Sequence, residues 1–160
     1  MGRRGLAAGF ALAIAVTAAA GCGGGGGGSR LSAGAYKAKI AAIGAEANKA
    51  QTAVESGIQA KTTAALVATL TTFAGSEEKI SKEVDALDPP KNAQAANDEL
   101  SRGTHDVSAA IQDLIPEIKD AATPAAALAI INKSSAGAKA GQEIDHAITE
   151  LRKLGYTSGS

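Results

Sequence analysis

With 160 residues, the chain has the length of one domain rather than two, and its 16 Lys and Arg are balanced by 16 Asp and Glu. Balanced charge without a basic block excludes the clustered phosphate-neutralising cations of a nucleic-acid binder, so no DNA or RNA partner is expected. A single Cys and two His exclude an internal disulfide and a Cys-based zinc site, and no metal or cofactor is expected.

The first 21 residues read as an export signal. Arg3 and Arg4 form a cationic start, and Leu6 to Ala20 is an apolar stretch ending in small side chains. A membrane-spanning helix needs roughly 20 apolar residues, and this stretch is shorter and interrupted by Gly9. Gly2, Gly5 and Leu6 fit a twin-arginine signal poorly, which leaves the general secretory route.

The only cysteine falls where the apolar run stops, in Ala19-Ala20-Gly21-Cys22, ahead of Gly23 to Gly28 and Ser29. This segment resembles the lipobox of bacterial lipoproteins, with Ala19 where that family usually has Leu. The resemblance implies a diacylglyceryl group on the Cys22 sulfur, cleavage just before it, and acylation (typically palmitate) of the new N-terminus. The alternative is ordinary cleavage after Ala20, leaving a free thiol. Each buried methylene contributes about 0.8 kcal/mol, so two or three acyl chains make a stable anchor where one is marginal. Residues 22–32 are then the lipidated cysteine and a Gly-rich linker, and the seven residues from Gly23 to Ser29 would span about 15 Å as a flexible coil. Loss of residues 1–21 leaves 14 basic and 16 acidic side chains, a net of −2, so attraction to anionic headgroups is not part of the anchoring.

From Ala33 to Gly155 the chain is Ala-rich and lacks strand signals. The apolar residues Tyr36, Ile40, Ile43, Ala47, Ala50 and Val54 alternate steps of four and three, a heptad seam. A second seam runs Leu66, Leu70, Phe73, Ile80, Val84, Leu87, and a third Leu100, Thr104, Val107, Ile111, Leu114, Ile118. The fourth runs Ala127, Ile131, Ala138, Gly141, Ile144, Ile148, Leu151. Ser56-Gly57, Asp88-Pro89-Pro90, Thr123-Pro124 and Gly155 punctuate them. The expected fold is all-α: an antiparallel up-down-up-down four-helix bundle over 33–155, on the order of 40 Å long, with 156–160 as a tail.

Two irregularities stand out. Continuing the second seam puts Glu77 at a core position, where an unpaired carboxylate is costly. A break at Gly75-Ser76, with Ser76 capping a new segment and Glu77 and Glu78 at its N-terminal end, avoids that cost. Pro116 inside the third helix should kink or shorten it. Aromatic content is low, so close helix packing without a roomy pocket is expected, supported by exposed pairs such as Glu78 with Lys82 and Asp98 with Arg102.

Candidate chemistry is sparse. Glu143 and His146 match the E-x-x-H pair of di-iron bundles, but no second pair exists: Glu46, Glu117 and Glu150 precede Lys49, Asp120 and Lys153 by three residues. The fourth seam also turns Glu143 and His146 outward. Reflecting the third helix onto the fourth sets His105 beside Lys139, about 10 Å from His146. No G-x-S-x-G elbow or C-x-x-C-H motif occurs, and Gly23 to Gly28 lacks the Lys-Ser/Thr of a phosphate loop. No catalytic residue is assigned and the chain reads as a non-enzyme. Gly137 and Gly141 are spaced for a close helix approach, as a packing contact or an interaction surface.

The lipobox, the Gly spacer, Tyr36-Lys37-Ala38-Lys39-Ile40, the Leu87-Asp88-Pro89-Pro90 turn and Leu151-Arg152-Lys153-Leu154-Gly155 together resemble small helical lipoproteins of high-GC Gram-positive bacteria. The resemblance implies a lipid anchor at Cys22 on the outer face of the cell membrane and a structural or protein-interaction role with an envelope protein partner. The alternative is a carrier or sensor for a small apolar or lipid-like ligand held where Gly137 and Gly141 meet Phe73. A cavity of about 300 Å³ or more would favour the ligand, and a contiguous exposed apolar patch of a few hundred Å² a partner.

Overall fold

A computed structural model of the chain describes residues 30–59 and 61–157; the signal segment, Cys22 and the Gly-rich run lie outside the described residues. Those residues are all-helical. They form α1 (Ala33–Gly57), α2 (Thr63–Asp85), a single 3-10 turn (Lys91–Ala93), α3 (Gln94–Lys119), α4 (Pro124–Lys133) and α5 (Ser135–Lys153). None of these helices is long and apolar enough to cross a membrane.

Local chemistry accounts for most of the boundaries. Ser32, Thr62 and Thr123 each accept a hydrogen bond at 3.2 Å from the backbone N–H three residues on, satisfying a donor that the first turn leaves free. Thr123 is followed by Pro124 at the first helical position, as the sequence predicts. At the other end of the chain, Gly155 adopts φ +81°, donates its N–H to Arg152, and lets Tyr156 donate to the Leu151 carbonyl. This left-handed closure turns the chain back, so Tyr156 and Thr157 are buried rather than trailing off.

Three expectations need correction. The fourth seam is two helices, because Ser134 is extended (ψ 109°) and its hydroxyl caps α5 through the Gly137 N–H. The break shifts the buried face, leaving Ala138 exposed and Ala140 buried. The second helix does not break at Gly75-Ser76. Its hydroxyls bond back to carbonyls four residues earlier, Ser76 to Thr72 among them, so Ser76 caps nothing. Burial of Phe73, Ala74, Ile80 and Ser81 on either side holds the helix straight through, and Glu77 is carried into the core with 7% of its surface exposed. Of the two effects expected of Pro116, a kink or a shortening, the shortening is not seen: α3 continues through it to Lys119, at the loss of the one bond that the residue 116 N–H would have made.

Packing is unequal among the helices. α2 and α3 form the most extensive pair, followed by α3 with α5 and α1 with α2; α4 lies mainly on α3. Glu78, Ser81 and Val84 on α2 meet His105, Ser101 and Asn97 on α3, so these two helices run in opposite directions. α1 and α5 form no comparable pair. They approach at one end, where the Tyr36 and Tyr156 rings meet edge to face at 5.0 Å. Tyr36 donates its hydroxyl to Asn97 Oδ1 at 3.1 Å, and Asn97 donates to the Val84 carbonyl at 3.1 Å. Burial, with Tyr156 and Asp98 nearby, holds the Tyr36 phenol well above its ordinary pKa. The chain enters at this same end: Leu31 donates its N–H to Asp88 O, and the Arg30 guanidinium donates to Pro89 O at 2.7 Å and Gln94 Oε1 at 3.0 Å.

Candidate functional site

Because α1 and α5 close on each other weakly, a cavity of about 40 Å³ remains between them above the α2–α3 floor. Ile40, Ile43 and Ala47 of α1, Ile80 of α2, Leu100 of α3, and Ile144, Ile148 and Leu151 of α5 give it apolar walls. Glu77 lines it from α2, Thr104 from α3, Gln51 from α1, Asp145 from α5, and Thr157 from the returning C-terminal segment.

Glu77 is the unusual group. Its carboxyl has neither a hydrogen bond nor an ion pair among the described residues, and burial alone pushes its pKa up to about 7. The Thr157 Oγ1 is likewise buried without a hydrogen-bond partner. Thr104 is satisfied, its hydroxyl donating to the carbonyls of Leu100 and Ser101 in its own helix. Asp145 is exposed, and its pKa is raised by partial desolvation. About one to three waters fit in such a volume. The site therefore offers a carboxyl that titrates near neutrality and an unmet hydroxyl, in space of molecular rather than ligand dimensions.

The residues singled out from sequence are not brought together there. Cys22 lies outside the described residues. Gly137 is the capped third residue of α5, and a Cβ on it would meet nothing closer than the Ser134 hydroxyl at 3.9 Å. Gly141 is buried, but neither glycine nor Phe73 borders the cavity. The close approach of α3 and α5 is made instead by Gly103, where a Cβ would stand 2.8 Å from Ile144 Cγ1 and 3.2 Å from the Ile144 backbone nitrogen.

Glu143 pairs with Arg102 at 3.6 Å rather than with His146. Arg102 is thus not the partner of Asp98, which accepts from Gln94; the expected pairing of Glu78 with Lys82 is present at 3.1 Å. His146 meets Glu99 at 2.9 Å, and His105 meets Glu78 on α2 at 3.0 Å instead of standing beside Lys139. Among the described residues no group of three or more His, Cys, Asp or Glu is arranged to hold a metal ion.

Sequence reasoning located Glu77 on the core seam and then moved it out by breaking the helix. Thr157 carried no signal, because the segment after Gly155 reads as a tail. Gly103 and Asn97 belong to no motif in the sequence and were not singled out. Comparison with family models, curated proteins and solved structures finds no match.

Proposed function

We propose that the chain is a membrane-tethered extracytoplasmic lipoprotein, anchored through Cys22, whose helical body serves as a non-enzymatic protein-interaction or structural module of the cell envelope. The observation that carries this reading is the placement of the one cysteine of the chain at the end of the apolar signal, directly before a run of six glycines. In this reading α4 and α5 together make the fourth rod of an antiparallel up-down-up-down bundle. The attachment of Arg30 and Leu31 to the α2–α3 turn sets that end of the bundle toward the anchor. The end formed by the α1–α2 connection and α4 then points away from the lipid and is the one offered to an envelope partner.

The cavity supports a module over a carrier. At about 40 Å³ it is far below the roughly 300 Å³ at which ligand pockets begin. The surface gives no large apolar patch, since Leu154 is the only large hydrophobic side chain exposed among the described residues. Partner contact would accordingly be polar or centred on the half-buried Leu128, Ile130 and Ile131 of α4.

Mass spectrometry of the exported chain tests the anchor. The expected product begins at Cys22 and carries a diacylglyceryl group and a further acyl chain, and Cys22→Ala releases the body from membranes. An unmodified thiol on a freely diffusing chain overturns the reading. Pull-down of the lipidated protein from its native membrane then tests for the envelope partner, with a reproducible copurifying protein as the expected result.

A further inference from the structure

A carboxyl buried without a partner raises the question of what completes it. Glu77 occupies a helix position flanked by Phe73, Ala74 and Ile80, where an apolar side chain would bury at no electrostatic cost. Around the cavity, α1 contributes Ile40, Ile43, Ala47 and Gln51, and α3 contributes Leu100 and Thr104, none of them charged. The one other titratable group lining it is Asp145 of α5, which is acidic as well. No lysine, arginine or histidine faces Glu77 to stabilise its anion, and the C-terminal segment adds only the unmet Thr157 hydroxyl. The available volume admits a proton and a few waters and excludes an organic ion of any size.

We propose that the Glu77 cavity is a proton-binding site that governs closure of the α1–α5 seam: the neutral carboxyl keeps α1 seated on the core, and its ionisation draws water into the cavity and loosens α1. The seam is where such a charge acts with most leverage, because α1 rests chiefly on α2 and is joined to the C-terminal segment by the Tyr36–Tyr156 contact at one end. Opening hydrates the ionised carboxyl without disturbing the α2–α3 pair, where Ser81, Asn97 and Ser101 keep their hydrogen bonds. With a folded pKa of about 7 against an ordinary 4.5, the closed state is fully favoured below the ordinary value. That preference is lost as pH rises through 7. The two histidines face glutamates elsewhere, His105 against Glu78 and His146 against Glu99. They lie at the α2–α3 and α3–α5 junctions and not on the seam. The inference does not depend on the state of Cys22.

Amide hydrogen exchange on the full chain, corrected for the intrinsic pH dependence of exchange, reads this directly. Between pH 5.5 and 8, protection of Ala33–Gly57 relative to the α2–α3 pair should fall on the order of 10- to 100-fold in the wild type. It should stay nearly level in Glu77→Gln, which retains both histidines. An equal fall in Glu77→Gln, or a loss spread evenly over all helices, overturns the proposal. Should Glu77→Gln fail to fold, Glu77→Leu replaces it. The carbon-13 carboxyl resonance of Glu77 in the wild type gives a variant-free check: a midpoint near 7 supports the site, and one near 4.5 overturns it.

Discussion

Between α2 and α3, Ser81, Asn97 and Ser101 are buried and hydrogen-bonded to the facing helix, whereas at the cavity between α1 and α5 the buried Glu77 side chain has no hydrogen bond or ion pair among the described residues and the buried Thr157 hydroxyl has no hydrogen bond. The two regions have similar apolar walls and differ in what the buried polar groups find opposite them. Small side chains let α2 and α3 approach until hydroxyls reach the facing carbonyls; α1 and α5 stay far enough apart to leave a void. Buried polarity is therefore a fastening across the α2–α3 contact and a liability at the cavity.

The sharpest way to break the fastened side is Asn97→Ala. Asn97 accepts from the Tyr36 hydroxyl and donates to Val84 O, linking α1, α2 and α3 at one end. Its removal leaves a buried phenol without its partner and a small void, so a loss of about 3 to 4 kcal/mol is expected in urea unfolding. Val84 O also accepts from Leu87, which keeps the cost from being larger.

On the seam the sign reverses. Glu77→Leu removes the group that loses stability as its folded pKa of about 7 is exceeded. At pH 8 the variant should be more stable than wild type by about 2 to 3 kcal/mol, and at pH 4.5 the difference should nearly vanish. Unfolding curves at the two pH values check this; a gain independent of pH would trace to packing rather than to charge.

How much of this contrast the sequence made legible depends on the kind of signal. The heptad seams identified the buried faces of α1, α2 and α3, because an apolar period survives whatever the helices pack against. The ends marked by Thr123-Pro124 and Gly155 were readable for the same reason, their chemistry being local. Glu77 was readable as a position and misread as a structure: avoiding a buried charge by breaking the helix is sound for an ionised group, but a neutral carboxyl in a long, well-packed helix costs less than lost packing. The break at Ser134 was hidden because Ala and Gly around it fit either a continuous helix or two. Thr157 and the Gly103 contact depend on which elements meet in space, and no local pattern encodes that.

Gly103→Ala tests whether the close approach on the α3 side is needed. Alanine gains about 1 kcal/mol of helix propensity over glycine. Its Cβ, however, would meet Ile144 Cγ1 at 2.8 Å and the Ile144 backbone nitrogen at 3.2 Å, so α5 has to shift as a unit. A net loss of about 1 to 2 kcal/mol is expected, with the Arg102–Glu143 and His146–Glu99 pairs weakened alongside it. Gly75, where a Cβ meets nothing within 4 Å, is the control, and Gly75→Ala should stabilise.

The smallest expected effect concerns the fastening itself. Ser81 donates to Ser101 O at 2.9 Å and Ser101 donates to Ser81 O at 3.2 Å, a reciprocal exchange between facing helices. Ser→Ala at either position removes a donor while the carbonyl left behind remains within its helix, so neither single change strands a polar atom and each should cost about 0.5 to 1 kcal/mol. The double variant decides what the pair is. If the two bonds support one another by holding the backbones close, the second alanine costs less than the first, with a coupling of about 0.5 kcal/mol in the cycle. If the costs simply add, the backbones are held together by the surrounding Val84, Leu100 and Thr104 packing and the hydroxyls only fill the space. Ser56→Ala, whose hydroxyl bonds back to Thr52 O at the helix surface, should change stability little and sets the baseline for losing such a group in water.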